Sequence, residues 1–198
     1  TGLVAGGALY PVPDADDVKA ANDEGAVAAA TVNDVLYAYP MTADNGYFMY
    51  YNKAYFSDSD LATLDGMMSI AAANGKKVTM DWSSGWYLYA FFGNTGLEFG
   101  INDDGVTNYC NWNAKDTAIK GVDVAQALLN IASNPGFMNA VDTDFMAGVQ
   151  DGSVIAGVSG AWNAATVKQV WGDNYGAVKL PTYTCAGQQI QMSSFKGY

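Results

Sequence analysis

Hydrophobic and polar residues in the first half of the chain follow patterns typical of both strands and helices. The apolar and aromatic runs Leu36–Met41 and Tyr47–Tyr51 each predict a strand. Between them, Asn45-Gly46 is a dipeptide typical of a tight turn. An amphipathic helix is predicted after the cap-rich segment 57–60 and ends at Asn74-Gly75. Its apolar positions have helical spacing: Leu61, Leu64, Met67, Met68 and Ala71.

The second half of the chain continues this alternation. Val78–Met80 predicts a short strand, Trp86–Asn94 a largely buried helix, and residues 98–112 a loop or hairpin. A long helix is expected after a cap at Asn113, and its buried stripe would contain Ile119, Val122, Leu129 and Ala132. The remaining predicted elements are a helix capped at 142–144, a strand over 153–158, a helix over 162–171 and a strand over 175–180. Strands that alternate with helices predict an α/β fold.

Charge narrows the classes of function. The 198 residues carry a net charge of −11, and all nine basic residues are lysines, since the sequence contains neither arginine nor histidine. Nucleic-acid binding needs a basic surface that displaces counterions from phosphates, so no nucleic-acid partner is expected. Without histidine the chain cannot assemble a Ser-His-Asp or Cys-His nucleophile, and anionic ligands would lack the arginine that usually binds them. No apolar run is long enough for a membrane-spanning helix.

The remaining residues suit a neutral ligand rich in hydroxyl groups. Aromatic residues make up 13% of the chain, and Asp, Asn and Gly are frequent. Aromatic rings can stack on the C–H faces of a sugar while carboxylates and amides bind its hydroxyls. We expect no cofactor and no metal site, because Cys110 and Cys185 have no zinc-finger spacing. Free thiols and a disulfide are both compatible with these two cysteines.

Three loops that follow predicted strands contain the candidate site residues. Ligands of open α/β sheets bind beyond the carboxyl ends of the strands, where loops lead into helices. The loops 42–47, 81–87 and 159–163 all have this position. The candidate ligand-binding residues in them are Asp44, Asn45, Asp81, Trp82, Trp86 and Trp162.

Each candidate also has a purely structural explanation. Asp44-Asn45 could form the turn before Gly46, and Asp81 could cap the next helix. Trp86 and Trp162 could belong to the core, as aromatic residues often do. Asp44 and Asp81 could alternatively form the carboxylate pair of a glycoside-active enzyme, although no local motif distinguishes either of them.

Three segments resemble the family 1 extracellular solute-binding proteins, to which the maltose/maltodextrin-binding proteins belong. Tyr39-Pro40, the acid Asp44 and the strand ending in Tyr51-Asn52-Lys53 are similar to the stretch that crosses the hinge in that family. Phe145–Trp162 is similar to the segment around a stacking tryptophan, and Tyr175–Thr182 to the strand returning to the other lobe. The order and spacing of these segments agree along the chain.

The resemblance implies two α/β lobes joined by a hinge, the type II periplasmic-binding-protein architecture. This chain would be a central fragment of such a protein. Residues 1–40 would be a flanking segment of the first lobe, residues 41–176 the second lobe, and residues 177–198 the return segment. The family's function implies a sugar-binding component of an ABC importer, without enzymatic activity. It would be a monomer that meets the permease subunits outside the cell, either periplasmic or lipid-anchored at the cell surface.

The resemblance also implies roles for individual residues. Asp44 takes the place of a hinge-side acid that bonds sugar hydroxyls, while Trp86 and Trp162 take the places of aromatic residues that stack on sugar rings. An acid of the maltodextrin binders aligns with Ser83 or Ser84 here, and Asn45-Gly46 is one residue longer than in the maltose binder. The bound sugar is therefore expected to differ from that of the maltodextrin binders. Alternative ligands for the same fold are a peptide or a polyamine.

Overall fold

A computed structural model describes residues 2–198, and the chain divides into two compact units. Unit 1 consists of residues 1–46 together with 196–198, and unit 2 consists of residues 47–195. Each unit is described by itself. The α/β fold expected from the sequence is confirmed.

Unit 1 is mainly helical. It contains α1 (Gly2–Ala5), α2 (Ala15–Ala21), α3 (Glu24–Ala29) and a hairpin of β1 (Thr31–Val32) and β2 (Val35–Leu36). The Asp23 carboxylate caps α3 by accepting hydrogen bonds from the backbone N–H groups of Gly25 and Ala26. Leu36 is almost completely buried, and its carbonyl accepts from the Val12 N–H.

The predicted strand Leu36–Met41 is wrong beyond its first residue. The strand ends at Leu36, and Tyr39 and Met41 are 61% and 93% exposed. Pro40 has no N–H group to donate to a neighbouring strand, which explains why pairing does not continue. The predicted turn at Asn45-Gly46 is also wrong, because these residues begin β3 (Asn45–Asn52) and pair with β12 (Lys196–Gly197).

A mixed five-stranded sheet forms the centre of unit 2. Its strands are β9 (Tyr175–Val178), β3, β8 (Val154–Gly160), β4 (Lys77–Met80) and β7 (Phe137–Asn139), in that spatial order. β4 is parallel to both β8 and β7, whereas β3 is antiparallel to β8 and β9. Every residue of β8 is buried, as expected for a central strand with both faces covered.

Helices cover both faces of this sheet. They are α4 (Leu64–Ala73), α5 (Gly85–Leu88), α6 (Gly121–Ala132), α7 (Asp142–Asp151) and α8 (Ala164–Trp171). Side chains of β3 alternate between two apolar clusters. Met49 and Tyr51 belong to the larger cluster with α4 and α6, whereas Tyr50 packs with residues of α7 and α8.

Short 3₁₀ helices and two hairpins complete unit 2. The 3₁₀ helices are Asp58–Leu61, Tyr89–Phe91, Ala161–Asn163 and Gly172–Asn174. One hairpin joins β5 (Phe99–Ile101) to β6 (Asn108–Cys110), as the sequence predicts for this region. The other, β10 (Thr182–Cys185) with β11 (Gln188–Gln191), is not among the predicted elements. Its turn uses Ala186 and Gly187, both with positive φ.

Three predicted helices begin or end elsewhere. The cap of α4 is Thr63, while Ser57 is the N-cap of the preceding 3₁₀ helix. The run Trp86–Asn94 forms only α5 and a 3₁₀ turn. Helix α6 starts at Gly121 rather than after Asn113, and it buries Val124, Ala127 and Ile131. Its predicted stripe is wrong because Val122 and Leu129, seven residues apart, both face solvent.

Within residues 2–198, no helix combines the length and the apolar character needed to cross a membrane.

Candidate functional site

Parallel pairing in unit 2 brings three chain segments to one edge of its sheet. Because β4, β7 and β8 run in the same direction, the residues that follow them emerge on the same side. Asp81 and Trp82 follow β4, Asp142 follows β7, and Trp162 follows β8. The antiparallel strand β3 reaches the same edge with Tyr47, which is paired with Gly160.

The Trp86 and Trp162 rings lie next to each other at this edge. They are nearly parallel, with an interplanar angle of 16° and ring centroids 5.9 Å apart, within the range of offset-stacked aromatic pairs. Trp86 is half-buried and packs edge-to-face on Tyr47, whereas Trp162 is 52% exposed. The pair therefore presents an accessible aromatic surface at Trp162, while Trp86 is packed against the buried Tyr47.

Gly160 allows the Trp162 ring to fold back over its own backbone. An added Cβ at Gly160 would overlap the six-membered part of the indole. The close approach that a glycine permits at this position is thus made by Trp162 itself.

The Asp142 side chain holds the other end of the Trp162 indole. Asp142 Oδ1 accepts hydrogen bonds from Trp162 Nε1 at 3.3 Å, Asn163 Nδ2 at 2.6 Å and Ser159 Oγ at 2.9 Å. Asn163 Nδ2 also donates to Ser159 Oγ, and both of these residues are buried. One carboxylate oxygen on α7 therefore connects Ser159, near the end of β8, with Trp162 and Asn163, which follow it.

Two tyrosines line the buried side of the aromatic pair. The Tyr47 hydroxyl donates to the Trp86 carbonyl at 3.0 Å, and burial raises the pKa of Tyr47 above its ordinary value. Burial and, next, the negative charge of Asp142 raise the pKa of Tyr87 to about 12, against the opposing effect of the Ser159 hydroxyl. Both phenols are consequently neutral hydrogen-bonding groups at physiological pH.

Asp81 and Trp82 lie at the same edge but are engaged within the fold. Asp81 Oδ1 accepts from the Ser83 N–H at 2.9 Å and from the Ser83 hydroxyl at 2.6 Å, which closes a local turn. The helix cap considered for Asp81 in the sequence is instead Ser84, the N-cap of α5. The Trp82 ring packs against Phe91 and Phe137, with centroid distances of 5.6 and 4.6 Å. Its backbone N–H donates to Asn139 Oδ1.

Asp44 and Asn45 belong to unit 1 and are both exposed. The Thr42 hydroxyl donates to Asp44 Oδ1 through a short hydrogen bond. Asn45 begins β3 and is paired with Gly197. The structure thus brings Trp86 and Trp162 together with Asp142, and it gives Asp81, Trp82, Asp44 and Asn45 other local environments.

The sequence analysis did not select Asp142 or Tyr87 as site residues. Asp142 was expected only to cap a helix, and it is the first residue of α7, after the N-cap Val141. Its contacts join positions 17 to 21 residues apart, a distance that local patterns do not report. Strand β7, which precedes Asp142, was not among the predicted elements, so the sequence did not indicate that Asp142 lies at the edge of the sheet.

An apolar cavity of about 580 Å³ lies beside the β5–β6 hairpin. Aromatic residues dominate its lining, with Tyr89, Phe99, Trp112 and Phe195 among them, and Cys110 borders it. Both cysteines are free thiols; Cys110 is exposed and Cys185 is buried. Residues 2–198 contain no group of three or more His, Cys, Asp or Glu side chains arranged to hold a metal ion.

Comparison with protein families gives one match that spans the chain. The family described as bacterial extracellular solute-binding protein matches residues 1–198. No curated protein matches the sequence.

Solved structures give further matches over nearly the whole chain. The maltodextrin-binding protein MalE1 from L. casei BL23, solved without ligand, is 25% identical over 98% of this chain and 49% of its own, with a TM-score of 0.78. A structure with acarbose is 29% identical over 98% of this chain and 50% of its own, with a TM-score of 0.77. A solute-binding protein from Staphylococcus aureus in complex with maltose is 18% identical over 98% of this chain and 52% of its own. It shares the fold, with a TM-score of 0.69. The chain thus spans about half the length of the structures that it matches.

Proposed function

The chain belongs to the bacterial extracellular solute-binding proteins, and we propose that it forms the second lobe of a receptor that captures a carbohydrate for an ABC importer. The observation that carries this proposal is the Trp86–Trp162 pair, an exposed and oriented aromatic surface at the carboxyl edge of the sheet. Sugar rings present flat C–H faces that pack on such a surface, while their hydroxyls need hydrogen-bonding partners nearby.

The surroundings of the pair support a neutral, polyhydroxylated ligand. Asp142 supplies a carboxylate beside the exposed indole, and the chain contains no arginine to bind an anionic group. One similar structure is that of a maltodextrin-binding protein from L. casei, and another was solved with acarbose. An oligosaccharide is therefore the proposed ligand, bound reversibly and without bond cleavage.

The remaining parts of this proposal follow from the family. Residues 1–40 and 177–198 would belong to or lead towards a first lobe, and residues 41–176 would form the second. The intact protein would act as a monomer outside the cell, periplasmic or lipid-anchored, and deliver its ligand to permease subunits. The ligand-binding roles of Asp44, Asn45, Asp81 and Trp82 remain predictions.

A calorimetric titration of this chain with maltotetraose tests the proposal. One lobe supplies half of a two-lobed clamp, so we expect weak binding, with a Kd on the order of 1 mM. Trp162→Ala should remove the binding, and Leu129→Ala, which changes an exposed apolar residue of α6, should leave it unchanged.

The ligand class is tested with a panel that also contains maltose, acarbose and spermidine. Binding of spermidine alone would favour the polyamine alternative, because Asp142 and an exposed indole also suit a cation. Release of product from a chromogenic glycoside would contradict the non-enzymatic assignment. The absence of any response to the sugars at 10-fold the expected Kd, on the order of 10 mM, would refute the carbohydrate proposal.

A further inference from the structure

We infer that Asp142 is a positioning residue for ligand capture, which fixes the orientation of the exposed Trp162 indole through its Oδ1 atom. The inference rests on the proposed carbohydrate function for its effect on affinity. Its structural part, the orientation of the indole, can be measured without any ligand.

The first argument is the convergence of donors on one atom. Trp162 Nε1, Asn163 Nδ2 and Ser159 Oγ all donate to Asp142 Oδ1. Asn163 and Ser159 are 8% and 2% exposed, so they hold the carboxylate from a rigid, buried position. Hydrogen bonds to a charged acceptor are stronger than those between neutral groups.

The second argument concerns the freedom of the indole. A tryptophan that is 52% exposed would ordinarily sample several rotamers and both orientations of its ring. Contact with the backbone at Gly160 restricts one side of the ring. The Nε1 bond to Asp142 selects the orientation that keeps Trp162 nearly parallel to Trp86. Ordering a side chain before binding reduces the entropy that the ligand must otherwise overcome.

A helix-terminal preference alone does not explain these contacts. An acid in the first turn interacts favourably with the helix dipole, and this applies equally to Asp144 in the same turn of α7. The dipole gives no reason for three side chains at the end of β8 and just after it to converge on Asp142. Asp144 therefore provides a matched control with the same charge on the same helix.

The ligand-free test uses ¹H–¹⁵N spectra of the tryptophan indole groups, which give five resonances in this chain. Trp162→Phe assigns the Trp162 resonance by its loss. We expect Asp142→Ala to move that resonance towards the position of an indole bonded to water, and Asp142→Asn, which retains an oxygen acceptor, to move it much less. Asp144→Ala should leave it in place. An unchanged Trp162 resonance in Asp142→Ala would overturn the inference.

The second test is a double-mutant cycle measured by maltotetraose titration. Asp142→Ala should weaken binding about tenfold when Trp162 is present. In the Trp162→Phe background, which retains a ring but has no Nε1 donor, the same change should have no further effect. Equal weakening in both backgrounds would show that Asp142 acts independently of the indole N–H, and it would refute positioning.

The two proposals fail separately. If the wild-type chain binds no sugar but Asp142→Ala moves the Trp162 resonance, the carbohydrate function is wrong and the positioning of the indole stands. If sugar binds and Asp142→Ala changes neither the resonance nor the affinity, the proposed function stands and the positioning role is wrong. If Asp142→Ala does not fold, Asp142→Leu, which has a similar volume and no acceptor, completes the same cycle with Trp162→Phe.

Discussion

The loops 81–87 and 159–163 leave parallel strands at the same edge of one sheet, yet the first tryptophan of each loop, Trp82 and Trp162, has a different environment. Trp82 turns into the core against Phe91 and Phe137. Trp162 remains exposed, over Gly160 and bonded to Asp142.

The difference follows from the hydrogen-bond partners of the polar residues in each loop. In the first loop, the Asp81 carboxylate accepts hydrogen bonds from Ser83, two positions later, and these bonds close a local turn. The polar residues of the second loop, Ser159 and Asn163, bond to a carboxylate on another helix. Trp82, which follows a residue that closes a local turn, packs inside, whereas Trp162, which is bonded to another helix, is ordered at the surface.

The largest effect is expected on stability when Trp82 is truncated. Trp82→Ala removes an aromatic residue that packs on the main cluster and should lower the free energy of unfolding by about 3 kcal/mol. Trp162→Ala should lower it by no more than about 1 kcal/mol, because half of that side chain already contacts solvent. Urea denaturation of the two variants measures the contrast, and equal losses would contradict it.

An intermediate effect is expected when the space under Trp162 is filled. Gly160 has a φ of −74°, so Gly160→Ala is compatible with the backbone, but its Cβ would displace the indole. We expect about tenfold weaker maltotetraose binding with the fold retained. Gly85→Ala, where the added Cβ meets no atom within 4 Å, is the control. Unchanged affinity in Gly160→Ala would show that the position of Trp162 over Gly160 is unimportant for binding.

The smallest effect is expected at Tyr87, which belongs to the first loop. Besides burial, the negative charge of Asp142, beside the second loop, contributes to the raised pKa of Tyr87. Its pKa is about 12 in the folded chain and about 10 when unfolded, so between these values the unfolded state loses the proton first. The free energy of unfolding should therefore fall as pH rises from 10 to 12. Tyr87→Phe should make this decline less steep in urea titrations at successive pH values. Tyr47 and Tyr183, whose pKa values are also raised by burial, should preserve part of it. An identical slope in the variant would exclude a contribution from Tyr87.

Local patterns predicted the elements whose partners are close in the sequence or whose periodicity is strong. Helix α4 buries Leu64, Met67, Met68 and Ala71 of the predicted apolar stripe, and β8 overlaps the strand expected over 153–158. The resemblance to solute-binding proteins, based on three ordered segments, is confirmed by the family match over residues 1–198.

The errors arose where distant residues decide the structure. Asn45-Gly46 has the composition of a turn but becomes a strand because β12, far along the chain, pairs with it. The importance of Asp142 depends on Trp162 and Asn163, which reach it only after the chain has passed through α7 and β8. Trp86 and Trp162 were both selected as candidates from their loops, but their parallel arrangement requires the folded sheet.

The two cysteines give the chain a practical property. Burial raises the pKa of the Cys185 thiol, which reduces the reactive thiolate, and the side chain is almost inaccessible to reagents. Cys110 is exposed on β6. A maleimide dye would thus attach at a single position of the native chain, on the hairpin beside the aromatic cavity, and an optical sensor could be built without introducing or removing any cysteine.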